Sequence, residues 1–231
     1  MELRDYQKEI VRLGVNVLKE HKFVYLAMEV RTGKTLTSLS ISKTLAVSNV
    51  LFITKKKAIS SIQDDYNLLN PDFSINIINY ESLHKIDCCP YDVIICDEAH
   101  GMGAYPKPSL RSKLVKSLIT ANNNPYVILL SGTPTPESYS QMYHQVYAIP
   151  GNPFKHHKSF YKFSHEYINI TQKKIGPTSI NDYSDGKESI LHEMKPYMIS
   201  FTQKEAGFKT EVTEEILTVA MHESTHNMVK K

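Results

Sequence analysis

A chain of 231 residues has room for one large domain, or a core with an appended subdomain, and excludes a string of several domains. Hydrophobic residues make up 41% against 22% charged, enough to bury a sizeable core and too apolar for a disordered chain. The net charge of +3, from 27 basic and 24 acidic residues, neither requires nor excludes a nucleic-acid partner. Three cysteines, Cys88, Cys89 and Cys96, form no CxxC pair, which argues against a disulfide framework or a structural zinc site and for a reducing cytosol. No apolar run approaches the length of a membrane span, and the charged N-terminus MELRDYQKEI lacks the apolar centre of a secretory signal. A cytoplasmic chain without a membrane partner is expected.

In chain order, residues 3–20 carry apolar side chains at Tyr6, Ile10, Leu13, Val17 and Leu18, close to helical spacing. Residues 23–27, FVYLA, read as a buried strand, 34–47 as a helix and 50–53 as the next strand. Residues 58–69 carry Ile59, Ile62, Tyr66 and Leu69 on one helical face, and Pro71 follows as a stop. Short aliphatic runs recur at 75–78, 93–96 and 127–130. Strands of this kind separated by helices predict a parallel sheet covered on both faces. From Pro134 onward Pro136, Pro150 and Pro153 break the chain. Residues 155–167 are basic and aromatic, 171–187 read as a polar loop, 190–194 as a short helix, and 216–221 as a candidate strand returning to the sheet.

The first strand runs into MEVRTGKT and then a helix, so Gly33, Lys34 and Thr35 form the GK[ST] end of a phosphate-binding loop. The order suits the chemistry. Free N–H groups at a helix start cradle phosphate oxygens, a lysine reaches the β- and γ-phosphates, and a hydroxyl ligates magnesium. Met28 stands where the first glycine of GxxxxGK[ST] belongs, so a surface turn is the plain alternative for this fragment alone. The strand YDVIIC then ends in Asp97 and Glu98. Asp97 suits a magnesium held through water, and Glu98 suits the base that takes the proton of, or orients, an attacking water. The plain alternative is a solvated strand end with Asp97 capping the next turn.

These elements together resemble superfamily-two helicases and translocases, most closely the first motor lobe of the SWI/SNF-type ATPases. LRDYQ (residues 3–7) is similar to the adenine-reading Q motif and LAMEVRTGKT (26–35) to motif I, usually close to LADEMGLGKT. Residues 50–66 resemble motif Ia, INYESLHK (78–85) motif Ib, DEAH (97–100) motif II and LLSGTPTPES (129–138) motif III. The resemblance implies an α/β, RecA-like P-loop lobe over residues 1–150, with helices on both faces of a parallel sheet and a small, mostly helical extension over 151–231 that returns to the lobe. It implies ATP and Mg2+ as cofactors. Gln7 and Arg4 would serve the adenine, Arg31, Thr32, Gly33, Lys34, Thr35 and Leu36 the phosphates, and Thr35 and Asp97 the metal. Lys34, Asp97 and Glu98 would be catalytic. Motif III would lie between the phosphate-loop strand and the DEAH strand, with His100, Ser131, Gly132 and Thr133 coupling nucleotide state to a nucleic-acid surface. Lys55, Lys56, Lys57 and Tyr80 would touch nucleic acid, duplex DNA being favoured; a solvated lysine cluster is the plain alternative for the first three.

The sequence departs from the family pattern in places. Arg31 replaces a small residue, which suggests a differently shaped loop, and Ser200 and Phe201 stand where the family carries paired arginines. No second lobe with motifs IV to VI and an arginine finger follows, so a half-motor that needs a second RecA-like lobe is expected. A nucleotide-binding regulatory or interaction module without motor action is the alternative. HESTH (222–226) fits the zinc-peptidase pattern HExxH, but no His, Asp, Glu or Cys follows to supply a third ligand, and a polar helix start is expected instead. The lysines and aromatics of 155–167 admit a second nucleic-acid surface or, more simply, a helix whose aromatics pack on the core.

Overall fold

The computed structural model describes residues 2–86 and 90–208. Cys88, Cys89, the candidate strand 216–221 and the HExxH segment lie outside the described residues. The chain opens with α1 (Asp5–His21) and β1 (Phe23–Met28), then α2 (Lys34–Thr44), β2 (Asn49–Thr54), α3 (Ile59–Leu69), β3 (Ser74–Asn79) and β4 (Val93–Cys96). It continues through α4 (Leu110–Ala121), β5 (Tyr126–Leu130) and α5 (Met142–Val146) to α6 (Phe160–Tyr167). A hairpin β6 (Thr171–Ile175) and β7 (Thr178–Asp182), then α7 (Ser189–Met194) and β8 (Met198–Phe201) complete it.

Six strands form one parallel sheet in the order β3-β2-β4-β5-β1-β8. The strand carrying motif III therefore lies between the phosphate-loop strand and the DEAH strand, as the resemblance implied. Strands β1, β2, β4 and β5 read as nearly unbroken apolar runs because both of their faces are covered. Successive side chains alternate between faces. Val24, Leu26 and Met28 join Phe52, Ile95 and Ile128 beneath α1, α2 and α3. Phe23 and Tyr25 join Leu51, Ile94 and Val127 beneath α4 to α7. Helix α2 lies between α1 and α3 and is buried over most of its length, serines included. Their hydroxyls are satisfied by bonding back up the helix, as Ser40 Oγ does to Leu36 O at 2.7 Å and Ser42 Oγ to Ser38 O at 3.1 Å.

The second half differs from expectation in several places. Residues 100–125 carry no element expected from the sequence, yet α4 fills 110–121 and is held by Val115, Leu118 and Ile119 on the sheet. Residues 171–187, expected as a loop, contain the antiparallel hairpin β6–β7, whose turn Gly176 makes at φ 59°. The hairpin hides from a pattern reading because its strands face water and show no apolar alternation; an ion pair of Lys173 with Asp182 at 2.6 Å ties them together. The strand that joins the sheet near the end of the described chain is β8, paired to β1 from Tyr25↔Met198 to Met28↔Phe201. The segment after residue 150 is therefore not wholly helical.

Of the aromatics of 155–167, Phe160, Phe163 and Tyr167 go to the core and Tyr161 stays exposed. Phe160, Phe163 and Tyr167 are buried in the same cluster as β1 and β4, while Lys155, Lys158 and Lys162 face water. Phe163 stacks on Tyr167 at 4.9 Å and meets Phe154 edge-on at 5.0 Å. The core packing expected as the simpler alternative therefore accounts for Phe160, Phe163 and Tyr167. Phe163→Ala is expected to cost about 3–5 kcal/mol of stability, read from urea unfolding. A loss below about 1 kcal/mol would show that the segment does not pack as described.

Candidate nucleotide site

The site forms where β1, β2, β4 and β5 end, the edge at which open α/β sheets bind ligands. After Met28 the chain turns through Glu29 to Gly33 and enters α2. Gly33 caps the helix at φ 80°, a conformation that suits glycine, and no side chain caps the start. The first intrahelical bond at this end runs from Thr37 N–H to Gly33 O at 3.0 Å. The N–H groups of Lys34, Thr35 and Leu36 precede it and form an open donor set at the positive end of the helix dipole. The Leu36 side chain itself is buried. Arg31 keeps the left-handed conformation of a glycine, at φ 65°, although it carries a side chain; that side chain is exposed. At this residue the backbone accepts the strain of a left-handed conformation with a side chain.

The loop is braced from within. Thr32 Oγ1 donates to Glu29 O at 2.7 Å, and Lys34 Nζ donates to the same oxygen at 3.3 Å. Burial pushes the Lys34 amine down from its usual range, and the carboxylates of Asp97 and Glu98 oppose that shift. Gln7 is buried against the loop: its Nε2 lies 3.5 Å from Gly33 O and 3.5 Å from Thr37 Oγ1, while its Oε1 accepts from Arg4 N–H at 3.0 Å. Tyr6, expected from the sequence as an apolar helix position and not as a site residue, donates its hydroxyl to Thr32 O at 3.1 Å and stacks on Phe201 at 4.6 Å. Arg4 Nη1 donates to the Tyr6 hydroxyl at 3.3 Å. Phe201, at a position where the family carries arginine, thus packs under the Q-motif segment. Next to it, Gln203 N–H donates to Glu29 Oε2 at 2.8 Å and Gln203 Nε2 to Val30 O at 3.0 Å. This brace joins residues far apart in the chain and has no signal in the sequence.

Across the sheet, Asp97 and Glu98 follow β4. Ile53↔Cys96 is the last pair of the β2–β4 ladder, so Thr54 falls beside Asp97. Thr54 Oγ1 donates to Asp97 Oδ2 at 2.7 Å. Burial pushes the Asp97 carboxyl up, the Thr54 bond pulls it down, and the Glu98 charge pushes it up again. The carboxylate of Asp97, partly desolvated and oriented by Thr54, is a hard oxygen donor, as is the Thr35 hydroxyl, and such donors fit magnesium better than a softer metal. Thr35 and Asp97 are the residues that would hold it.

Glu98 occupies φ 51°, an uncommon backbone state for a residue with a side chain. Its Oε1 lies 3.3 Å from Lys55 Nζ and its Oε2 3.4 Å from His100 Nδ1. His100 Nδ1 in turn lies 2.9 Å from Ser131 Oγ, which accepts from Thr133 N–H at 3.1 Å. Gly132 lies over the backbone of Met28 to Val30, where a Cβ added to it would come within 3.5 Å of Met28 O. The four residues expected to couple sites thus form one chain of contacts from the acid pair to the phosphate loop. Gln145, also missed in the sequence, anchors that turn: it accepts from the Tyr25 hydroxyl at 2.7 Å and donates to Pro134 O at 2.8 Å.

Lys55, Lys56 and Lys57 are all exposed beside the site, at the start of a short 3-10 turn. Tyr80 is not. It is 3% exposed, its hydroxyl donates to Asp97 O at 2.7 Å, and Arg111 covers its ring at 5.3 Å. The expectation of Tyr80 at a nucleic-acid surface is corrected: it is a prop beneath the DEAH turn, because its ring completes the core between β4 and α4.

An uncapped helix start after the first strand, with an acid pair at the same edge of a parallel sheet on the strand next but one, defines a RecA-like phosphate-loop domain. The family model of the SNF2-related domain matches residues 50–231, and the chain belongs to that family, as a first lobe of superfamily-two helicase type. The model of the Type III restriction enzyme res subunit matches residues 1–87. Among solved structures, the chain is similar to the SWI2/SNF2 ATPase core of Sulfolobus solfataricus in complex with dsDNA, at 17% identity and a TM-score of 0.68. The match covers 90% of this chain and 46% of that one, so the chain spans about half the length of that core. A nuclease-deletion mutant of the Type ISP restriction-modification enzyme LlaGI in complex with a DNA substrate mimic matches 58% of this chain and 18% of its own, at 19% identity and a TM-score of 0.44. No curated protein matches.

Proposed function

We propose that the chain is the ATP-binding lobe of an ATP-dependent DNA translocase or helicase, which hydrolyses ATP with Mg2+ when joined by a second RecA-like lobe. The observation that carries the reading is the convergence at one sheet edge of the open α2 start, Lys34 and the Asp97–Glu98 pair. The N–H groups of Lys34, Thr35 and Leu36 hold phosphate oxygens, and the Lys34 amine leaves Glu29 O for the β- and γ-phosphates. Thr35 and Asp97 would hold a magnesium ion, which would supply positive charge against the phosphates. Glu98 orients the water and takes its proton. Gln7, which lies against the loop, and Arg4, at the start of the same helix, would serve the adenine. Duplex DNA is the favoured track on two supports: membership of the SNF2-related family and the exposed lysines 55–57 beside the acid pair.

Phosphoryl transfer of this type depends on an arginine supplied from outside the lobe, worth about 10³-fold or more in rate. The 231-residue chain alone is therefore expected to bind ATP, to turn it over slowly, and to respond weakly to duplex DNA. Steady-state turnover with and without duplex DNA tests this. Robust, DNA-stimulated turnover by the monomeric chain would show that one lobe makes a complete site and would sink the two-lobe reading.

A further inference from the structure

Lys55 Nζ donates to one oxygen of the Glu98 carboxylate at 3.3 Å, and the other oxygen lies 3.4 Å from His100 Nδ1. Lys55 is the residue after Thr54, and Glu98 is the residue after Asp97. The β2–β4 register that pairs Thr54 with Asp97 therefore also sets Lys55 against Glu98. Among the described residues, Lys55 is the one lysine of the 55–57 run that makes an ion pair. We propose that Lys55 is shared between two anions: Glu98 holds it when no nucleic acid is bound, and a phosphate of duplex DNA takes it when the track is occupied. Lys55 is then a positioning residue that restrains the base, and DNA releases it. The inference rests on the reading of Glu98 as base and of residues 55–57 as a DNA surface.

The physical case has three parts. The pair is accessible, with side-chain exposures of 47% for Lys55 and 35% for Glu98, and such a pair is held weakly in water. A duplex presents one negative charge per about 1.7 Å of its axis, so a bound track offers Lys55 a far stronger field than one carboxylate does. The neighbours Lys56 and Lys57 are exposed beside it and bring the phosphates to that place. Once Lys55 turns away, Oε1 of Glu98 is free to accept a hydrogen bond from the attacking water. The restraint also works in reverse, because coupling between two sites is reciprocal: holding Lys55 on Glu98 must weaken DNA binding.

That reciprocity allows a test by binding alone, on the 231-residue chain, with a fluorescent duplex oligonucleotide and a salt titration. Glu98→Gln removes the competing charge and is expected to tighten duplex binding by roughly two- to fivefold, the factor an exposed pair is worth. It should also steepen the salt dependence, by up to about one phosphate contact. Lys55→Ala weakens binding, and in that background Glu98→Gln has no further effect. An equal gain from Glu98→Gln with and without Lys55 would reveal general repulsion of DNA by the carboxylate and overturn the proposal, as would no gain at all. Absence of duplex binding at low salt would overturn the DNA surface and the shared lysine together. If the binding cycle behaves as expected while ATP is never hydrolysed, the coupling stands and the ATPase reading fails.

Discussion

Glu98→Gln is expected to lower ATP hydrolysis by about 10²–10⁴-fold while leaving nucleotide affinity nearly unchanged. The two effects separate because of where the carboxylate sits. The phosphate-binding donors belong to the start of α2 and to Lys34, whereas Glu98 accepts from Lys55 and lies beside His100. Gln keeps the shape and an oxygen for Lys55, so the fold of the turn and the phosphate cradle persist. It cannot take a proton at neutral pH, so the water loses its base. The measurement is single-turnover hydrolysis in a form of the protein that joins both lobes, beside calorimetric binding of ATP to the same variant. Turnover at the wild-type rate would remove Glu98 from the chemistry. Loss of binding would instead place its carboxylate on the nucleotide or its metal.

The parts of the site that could be read in advance are those fixed by the backbone. Lys34 and Thr35 sit at a helix start after a strand, Asp97 and Glu98 at a strand end, and apolar runs buried on both faces announce those strands however they pair. Side-chain partners across the sheet could not be read. Lys55 carries the same composition signal as Lys56 and Lys57, and only the register of β2 on β4 sets it against Glu98. Tyr80 looks like any aromatic in a polar segment until the core closes over it. The Gln203–Glu29 brace is of the same kind, since β8 finds β1 through a long-range pairing that no local pattern encodes. Helix α4 is a different case: Val115, Leu118 and Ile119 have helical spacing, and its signal lies in the sequence beside the stronger marks of motifs II and III.

Lys34→Ala is expected to lower ATP affinity by about 10–100-fold, the worth of one or two charge-assisted bonds to phosphate. The side chain is half-buried at the mouth of the loop, where its hydrogen-bond partner among the described residues is the Glu29 carbonyl at 3.3 Å. A carbonyl is a weak substitute for phosphate, so the empty site holds the charge ready at little cost to its transfer. The change should spare the fold. Burial already pushes the Lys34 amine down, so removing it relieves a desolvated charge, and the Thr32–Glu29 and Gln203–Glu29 bonds that shape the loop do not involve it. Thermal unfolding of the variant, expected within a few degrees of wild type, separates loss of a contact from loss of structure. Lys34→Arg is not expected to rescue binding, because a planar fork cannot replace a compact point charge in a cradle of backbone N–H groups. Calorimetric affinity equal to wild type in the Ala variant would mean that the start of α2 does not receive the phosphates, and the nucleotide site would have to lie elsewhere in the chain.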